Sequence, residues 1–410
     1  YVSSTIGDNV NEGSEENPVA DIETILQKAI YNHPERDDQT IMIMSGTYTG
    51  NSNRGFELSA YGSQSFTIEG ATGNPDDVIL DAEHSDQHFT LGGGSERNIT
   101  IKNITLSYGE SSPPTQNGWA SGGGSIHFAS SQTNLKVINC IFEYNKVLQN
   151  SHHEGGGAVH VTIGQNGIDP PEFEDCIFRY NTATNYEYDQ SNAVGGAVGM
   201  SPGWYQPNGD ARDELPVIFR RCKFYGNRAN WNGQFGSNAR GSAIEGSLNI
   251  LIEGCLFYGN VFDTEETETP NGGSCVLALY PAYQTDDGSG NRLSGKAVFI
   301  NNTFIDTSNS SSVSPFIQVD NSVQPAEVVL FNNIFVVSSY PDVQAVQFYS
   351  STSPMNVYAD HNLFNTSNDY NEEGNNYTMF GGDHDLHLDP GFAPDSANVD
   401  FSLSDYSRAI

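Results

Sequence analysis

The amino-acid sequence predicts an all-β fold, a single right-handed parallel β-helix with an N-terminal capping helix and long, variable loops. Two observations carry this prediction: a short motif recurs along the 410 residues, and helical spacing of apolar residues is almost absent after residue 32. A β-helix stacks one short strand set per coil, so its repeats keep a fixed order while the loops between them vary. Solenoids grow by adding coils, so this length fits one domain.

The repeated motif defines the coils. It reads NCIFEYN at Asn139–Asn145 and returns as DCIFRYN at Asp175–Asn181, RCKFYGN at Arg221–Asn227 and GCLFYGN at Gly254–Asn260. A second, glycine-rich strand signal follows each copy, as in GGGAVHV at Gly155–Val161. We expect the motif cysteine and the aromatic residue two places later to point into the core, and the final asparagine to form an amide ladder.

The cysteines of the motif are predicted to be unpaired. Equivalent side chains of neighbouring parallel strands lie about 4.8 Å apart, whereas a disulfide needs sulfurs about 2.05 Å apart and converging Cβ atoms. The predicted inward ladder consists of Cys140, Cys176, Cys222 and Cys255, continued by Asn302, Asn333 and Asn362.

Three segments are predicted along the chain. Residues 1–50 form an N-terminal cap, with a helix over about 21–32 that begins behind Asp21, and the first strand. Residues 51–370 form the coils, and residues 371–410 lose the repeat and close the solenoid as strand and loop. A cap is expected because an open solenoid end exposes core and unpaired strand edges.

Composition limits the function. With 17 basic and 51 acidic residues the net charge is −34, which argues against a nucleic-acid partner because phosphates are neutralised by Lys and Arg. No apolar run is long enough for a transmembrane segment. The start at Tyr1 suggests a mature or excised segment, and we expect an extracellular or cell-surface location. No cofactor is required, although calcium would suit such an acidic surface.

The repeats resemble a known family. The pairing of GG[AS][IV] with F-x-x-N, as in Phe142–Asn145 and Phe178–Asn181, resembles the repeats of the polymorphic outer-membrane proteins of chlamydiae, which are surface-exposed passenger domains implicated in adhesion. The opening YVSSTIGDN and the ending LDPGF are similar to bacterial secreted right-handed parallel β-helix proteins. The resemblance implies an extracellular, non-catalytic scaffold or adhesin. The same fold also carries lyases and hydrolases, so a polysaccharide lyase or other carbohydrate-active enzyme on anionic glycans is the alternative.

The variable loops supply the candidate contact surface. Aromatic and basic residues that could bind a glycan or protein partner are Trp119, Tyr186, Tyr188, Trp204, Arg228, Trp231 and Phe235. No catalytic residue is assigned. Six basic residues of one unit favour the lyase: Arg212, Arg220, Arg221, Lys223, Arg228 and Arg240.

An ion-pair ladder is the simpler interpretation of these cations. Stacking the coils places Arg220 between Glu174 and Glu253, and Arg221 beside Asp175. One coil earlier, Arg179 falls beside Glu143. Opposite charges across neighbouring strands are an ordinary way to stabilise a sheet.

An apolar row follows the cysteines and is expected to point outward. It consists of Ile141, Ile177, Leu256, Ile334 and Leu363. Such a row fits self-association into a surface filament, although loops folding back over it or a strand bend would also explain it.

Metal-binding signals are weak. Asp286 and Asp287 in TDDGSGN could hold calcium but also suit a plain Asp-Gly turn. His152, His153 and Glu154 share one loop and lack the usual ligand spacing. DHDLHLD at Asp383–Asp389 is better interpreted as a half-exposed strand than as a metal site.

Overall fold

The protein is an elongated stack of parallel strands. The computed structural model describes residues 1–32, 38–58, 65–92, 97–111, 122–129, 133–149, 155–163, 170–185, 193–202, 216–231, 239–247, 249–264, 276–280, 295–306, 315–320, 326–337, 344–349, 354–366, 368–371, 376–390 and 392. Three long sheets, here named A, B and C, run along the stack. Each coil contributes one strand to each sheet, except the last described coil, which contributes to sheets A and B only. This is the predicted right-handed parallel β-helix.

The bounds of the strands follow the sequence repeat. Sheet A consists of Gln39–Ile43, Phe66–Gly70, Arg97–Lys102, Thr133–Ile138, Glu172–Glu174, Val217–Arg220, Ile250–Glu253, Gly295–Ile300, Ala326–Phe331, Met355–Asp360 and Tyr377–Gly381. Sheet B consists of Gly46–Tyr48, Val78–Asp81, Thr105–Ser107, Ile141–Glu143, Ile177–Arg179, Lys223–Tyr225, Leu256–Tyr258, Thr303–Asp306, Ile334–Val337, Leu363–Asn365 and Leu386–His387. Sheet C consists of Phe56–Glu57, Phe89–Gly92, Ile126–Ala129, Val159–Ile163, Val198–Pro202, Ile244–Ser247, Leu277–Tyr280, Ile317–Asp320, Gln344–Tyr349 and Asn368–Asn371.

Smaller elements complete the described chain. Sheet D lies between sheets B and C in chain order and consists of Glu110–Ser111, Lys146–Gln149, Thr182–Asn185, Arg228–Trp231 and Val261–Thr264. A two-stranded sheet joins Ala193–Val194 to Ala239–Arg240, and 3₁₀ turns span Asn51–Asn53 and Pro75–Asp77.

A two-residue turn joins sheet A to sheet B in the repeated coils. Its first residue has a left-handed backbone, with φ of 49° at Asn139, 58° at Asn301 and 55° at Asn332. Asparagine tolerates this conformation better than most side chains do. The short turn fixes the register of both sheets, so Ile141, Ile177 and their successors align coil after coil.

The core is a column of stacked rings. Phe142 and Phe178 have centroids 4.7 Å apart with planes 3° from parallel, and Phe335 and Phe364 continue the column at 5.1 Å. This spacing matches the distance between parallel strands. The stacking arises because the aromatic residue of each motif copy enters sheet B at the same register position.

The predicted thiol and amide ladders are confirmed. Cys140, Cys176, Cys222 and Cys255 are buried and free, and burial raises the pKa of the Cys140 thiol well above its usual value. Asn302, Asn333 and Asn362 continue the ladder and are fully buried. The thiols are therefore structural groups.

The asparagine that ends each motif copy satisfies backbone groups of the turn. The Asn181 side-chain amide donates to the Phe142 carbonyl at 2.9 Å and to Asn227 Oδ1 at 3.0 Å. Its own Oδ1 accepts from the backbone and side-chain nitrogens of Asn145 at 3.1 and 3.0 Å. The same pattern joins Asn227 to Asn260.

A helix over Ile22–Asn32 covers the first coil. Asp21 Oδ1 accepts the Thr24 backbone N–H at 2.8 Å, which is an N-cap bond. Ile22 and Leu26 are fully buried against the core, whereas Gln27 is exposed. The helix buries the apolar end that the first sheet strands would otherwise expose.

Strands continue into the segment that the sequence predicts to lack the repeat. Tyr377–Gly381 pairs with Met355–Asp360 in sheet A, and Leu386–His387 pairs with Leu363–Asn365 in sheet B. Leu386 is 44% exposed. DHDLHLD therefore does contain a short strand, but both of its residues, Leu386 and His387, are exposed, so the predicted half-exposed pattern is not observed. One more rung of the solenoid lies beyond residue 370.

Candidate functional site on the outer face of sheet C

Long connections border sheet C at both ends of its strands. Sheets A and B are joined by two-residue turns except at residues 71–77 and 382–385, whereas residues 112–121, 186–192 and 232–238 precede sheet C strands and residues 203–215 and 281–294 follow them. Because long connecting segments often carry binding residues on a rigid scaffold, the outer face of sheet C is the candidate ligand surface.

Most of the predicted contact residues belong to these connections. Trp119, Tyr186, Tyr188, Trp204 and Phe235 lie outside the described residues. Arg228 begins a sheet D strand and is exposed, and Trp231 ends that strand. The contact prediction for this set stays a prediction.

Two of the six predicted cations, Arg220 and Arg221, are held in ion pairs on another face, while Lys223 lies on a sheet B strand, Arg228 on a sheet D strand, and the side chains of Arg212 and Arg240 lie outside the described residues. Arg221 Nε contacts Asp175 Oδ1 at 2.8 Å, and Arg179 Nε contacts Glu143 Oε2 at 2.6 Å, as the stacked register predicts. Arg220 contacts Glu253 at 3.3 Å. These three arginines stabilise the stacked coils. Because their charges are paired, they are not available to neutralise the carboxylate of a lyase substrate.

One partner in the ladder differs from the prediction. Glu174 does align with Arg220 across the strands, but Arg220 bonds Glu172 on that side. Glu174 instead pairs with Arg221, whose hydrogen bond lowers the pKa of that carboxyl. Residues two places apart on a strand share a face, so a long arginine reaches either acid.

Polar side chains occupy the outer row of sheet C. The register aligns eight positions across successive strands: Thr90, His127, His160, Gly199, Glu245, Ala278, Gln318 and Gln347. His160 and Glu245 are almost fully buried, at 1% and 3% exposure, whereas His127 is only partly buried. Buried titratable groups on an outward row are a typical feature of functional sites.

The two histidines form one hydrogen-bonded unit. Their rings stack with centroids 5.1 Å apart, and their Nδ1 atoms are 3.2 Å apart. His127 Nδ1 lies 2.9 Å from the Gly122 carbonyl, and His160 Nε2 lies 2.9 Å from Ser201 Oγ.

The carbonyl of Gly122 determines the tautomers. Because a carbonyl only accepts, His127 Nδ1 carries the proton and donates it to Gly122, while His160 Nδ1 accepts from the same N–H. His160 therefore carries its own proton on Nε2 and donates to Ser201. The lone pair of His127 is left on Nε2, at the incompletely buried end of the unit.

Both histidines are neutral at physiological pH. Burial lowers the pKa of His127, although the bond to Gly122 opposes the shift. Burial also lowers the pKa of His160, to well below its usual value, and the neighbouring His127 adds to the shift. His127 Nε2 is thus available as a proton acceptor.

A glycine separates His160 from Glu245. A Cβ on Gly199 would lie 1.0 Å from the Gly155 carbonyl oxygen, so the backbone of one coil packs where a side chain would stand. His160 and Glu245 are two strands apart, or about 9.6 Å along the row. Glu245 therefore belongs to the same face but does not bond either histidine directly.

Sequence reasoning missed this row, although the signal was present. The glycine-rich segments GGGSIHF and GGGAVHV place His127 and His160 at the same repeat position in consecutive coils. The glycines of these segments indicate strand entry, and the histidine shared by consecutive coils is the signal that marks the row.

The predicted self-association row is only partly exposed. Ile141 and Leu363 are buried, at 3% and 4% exposure, while Ile177, Leu256 and Ile334 are half-buried. Lys223 and Thr303 occupy the same register and interrupt it. Self-association through this row stays a prediction.

A separate exposed stack of tyrosines lies at the turn after sheet B. Tyr108, Tyr144 and Tyr180 have ring centroids 5.3 Å apart in both pairs, and they are 36%, 41% and 45% exposed. Each has a left-handed φ near 55°. Because stacked neighbours cover the ring faces, the solvent meets mainly edges and hydroxyl groups.

The predicted calcium ligands, Asp286 and Asp287, lie outside the described residues, as do His152, His153 and Glu154. Among the described helices, none has the length and apolar character needed to cross a membrane.

Comparison with known proteins gives remote structural similarity only. No protein-family model matches the chain, and no curated protein matches it. An alginate lyase from Paenibacillus sp. str. FPU-7 is 14% identical, with 94% of this chain and 99% of that chain covered and a TM-score of 0.32. The A-module of a mannuronan C-5 epimerase from Azotobacter vinelandii is 13% identical, with 90% and 96% covered and a TM-score of 0.35. A lacto-N-biosidase from Eubacterium ramulus is 11% identical, with 95% and 67% covered and a TM-score of 0.31. The assignment of this chain to the parallel β-helix fold therefore rests on its own sheets and registers.

Proposed function

We propose that the chain is an extracellular carbohydrate-active protein that binds a polysaccharide along the outer face of sheet C and uses His127 as a proton acceptor. The observation that supports this most is the neutral His127–His160 unit, whose lone pair is on Nε2 of the less buried ring. The long segments that precede and follow the sheet C strands in sequence would supply further contacts to the glycan.

Polysaccharide lysis on a uronate is the reaction that fits a single base. The base takes the proton from the carbon next to the carboxylate, the electron pair forms a carbon–carbon double bond, and the glycosidic oxygen leaves and is protonated by an acid or by water. A histidine with a pKa below its usual value is deprotonated at neutral pH without a further activating group.

The negative charge of the protein opposes the binding of an anionic substrate. A net charge of −34 repels a uronate chain, and the arginines of the ion-pair ladder are already paired. Calcium bound between protein and glycan carboxylates would offset this repulsion. We therefore propose that calcium raises the rate and that EDTA lowers it.

The test is an assay with alginate, pectate and chondroitin, read as absorbance of the unsaturated product at 235 nm and as new reducing ends. We expect absorbance from the wild type and at least a hundredfold loss in His127→Ala. The matched control is His84→Ala, since His84 is an exposed histidine at a turn of another face. Reducing ends without absorbance would point to a hydrolase. Full activity in His127→Ala would refute the role of His127.

A non-catalytic surface scaffold or adhesin is the second candidate, favoured by the exposed tyrosine stack of Tyr108, Tyr144 and Tyr180. Aromatic residues with a polar tip are enriched at protein interfaces. No activity on any glycan, together with glycan or cell binding that is lost in a Tyr144→Ser, Tyr180→Ser double variant, would support this function over the enzyme.

A further inference from the structure

The last described rung brings together three side chains that are typical transition-metal ligands. Asp360 ends a sheet A strand, His361 follows it in the turn to sheet B, and His384 occupies the equivalent turn one coil later. One ligand atom from each of the three lies within 4.8 Å of the others. The sequence places His384 in DHDLHLD but gives no sign that its neighbours Asp360 and His361 come from the preceding coil.

The turn brings the two histidines into contact. His361 has a φ of 59° and takes the position that asparagine holds in the coils before it, at Asn301 and Asn332. Its ring stacks on that of His384, with centroids 4.8 Å apart and planes 17° from parallel.

The distances suit a metal ion. Asp360 Oδ2 lies 3.0 Å from His384 Nδ1 and 3.4 Å from His361 Nδ1. Ligand atoms that bind one tetrahedral zinc ion at about 2.0–2.1 Å are separated by roughly 3.3–3.4 Å. Both contacts are close to that separation.

Backbone groups already orient the carboxylate. Asp360 Oδ1 accepts the backbone N–H groups of His361 and His384, each at 3.1 Å. Oδ2 lies within 3.4 Å of both imidazole Nδ1 atoms, whereas Oδ1 also lies 3.2 Å from His384 Nδ1. Such outer hydrogen bonds are how proteins fix ligand geometry.

We propose that Asp360, His361 and His384 bind a divalent transition-metal ion of the zinc type, which joins the last two described coils. Three protein ligands and a water molecule make a four-coordinate site, and imidazole selects against calcium and magnesium. Both histidines are well exposed, with side-chain exposures of 58% and 66%, so an ion and its water can reach them.

The ion would stabilise the outermost described strands of sheets A and B. Tyr377–Gly381 and Leu386–His387 are the outermost described strands of sheets A and B, and each pairs on one side only within the described residues. A link from His384 back to Asp360 and His361 would hold this rung on the coil beneath it.

The test uses zinc and cobalt ions on the full chain after treatment with EDTA and its removal. We expect calorimetry to show one tight Zn²⁺ site, Co²⁺ to give visible absorption of a tetrahedral centre, and Zn²⁺ to raise the thermal midpoint. His361→Asn, which restores the residue of the preceding coils, and His384→Ala should each weaken Zn²⁺ binding at least tenfold.

The matched control is His387→Ala, because His387 lies in the same rung but pairs with Asp369 at 3.2 Å. It should keep the wild-type affinity. Equal Zn²⁺ binding in wild type, His361→Asn and His384→Ala would show adsorption to the acidic surface and overturn the site. No binding by the folded wild type would reduce the cluster to an ion pair between Asp360 and His384.

Discussion

At the scale of single residues, histidine serves two opposite purposes in this chain. His88 is fully buried, with Nε2 donating to the Leu80 carbonyl at 2.9 Å and Nδ1 accepting from Ser125 Oγ at 3.0 Å. Both ring nitrogens are used, so His88 is a packing group. His127 has one nitrogen left over, and that difference separates a structural histidine from a candidate base.

His88 makes stability depend on pH. Burial lowers its pKa to about 4, whereas the unfolded chain titrates near the usual value of about 6.5. Between these values the unfolded state binds the proton and the folded state does not, so stability falls as the pH drops from 6.5 to 4. The expected loss is about 3 kcal/mol from this residue alone.

The measurement is urea unfolding of wild type and His88→Gln from pH 7.5 to 4. The variant should be less stable at pH 7.5, and its deficit should shrink toward pH 4 because glutamine takes up no proton. Parallel curves for the two proteins over this range would contradict the assignment of the pH dependence to His88.

At the scale of elements, the sequence predicts the ladders, but it does not predict the contact between the turns that hold His361 and His384. The cysteine, phenylalanine and asparagine rows stand out because each coil repeats them at one register, so a shift of one residue would turn the whole set to the other face. Asp360 and His384 are in contact because they lie near equivalent turns of two adjacent coils. Loop lengths vary between coils, so spacing along the chain does not reveal which turns become neighbours.

The amide ladder should be costly to interrupt. Asn181→Ala removes the donor to the Phe142 carbonyl and the acceptor for the Asn145 backbone N–H, both buried. Leaving buried polar groups unpaired costs about 1–3 kcal/mol each, so we expect a loss of about 2–4 kcal/mol and a lower thermal midpoint.

Asn356→Ala is the control for the ladder, because Asn356 is exposed on a sheet A strand. Its midpoint should stay close to that of the wild type. An Asn181→Ala protein as stable as Asn356→Ala would show that turn backbone groups find other partners.

At the scale of the whole molecule, resistance to aggregation depends on how the ends of the strand stack are covered. The Ile22–Asn32 helix covers one end with buried Leu26. Leu26→Ala should cost about 2–5 kcal/mol and promote aggregation, since loosening the helix exposes strand edges and core.

Light scattering during a thermal ramp measures this effect, with the exposed neighbour Gln27 changed to alanine as control. Leu26→Ala should scatter at a lower temperature than Gln27→Ala. Identical onset in both would mean that the helix does not protect the first coil.

The last described rung was predicted only as a strand and loop segment without the repeat, because it has lost the inward pattern. His387 stands at the register of Phe364, and Asp385 stands at that of Asn362. Within the described residues this rung has one neighbouring coil, so rings could stack on it from one side only. The motif therefore ends before the strands do.

The asparagine ladder also makes the coils interchangeable. Each asparagine bonds only the coil before and the coil after it, through groups that are the same at every step from Asn145 to Asn260. An interior coil could therefore be duplicated or deleted as a unit, with its neighbours meeting an identical junction. The length of the solenoid could therefore change while the sequences of both end coils stay the same.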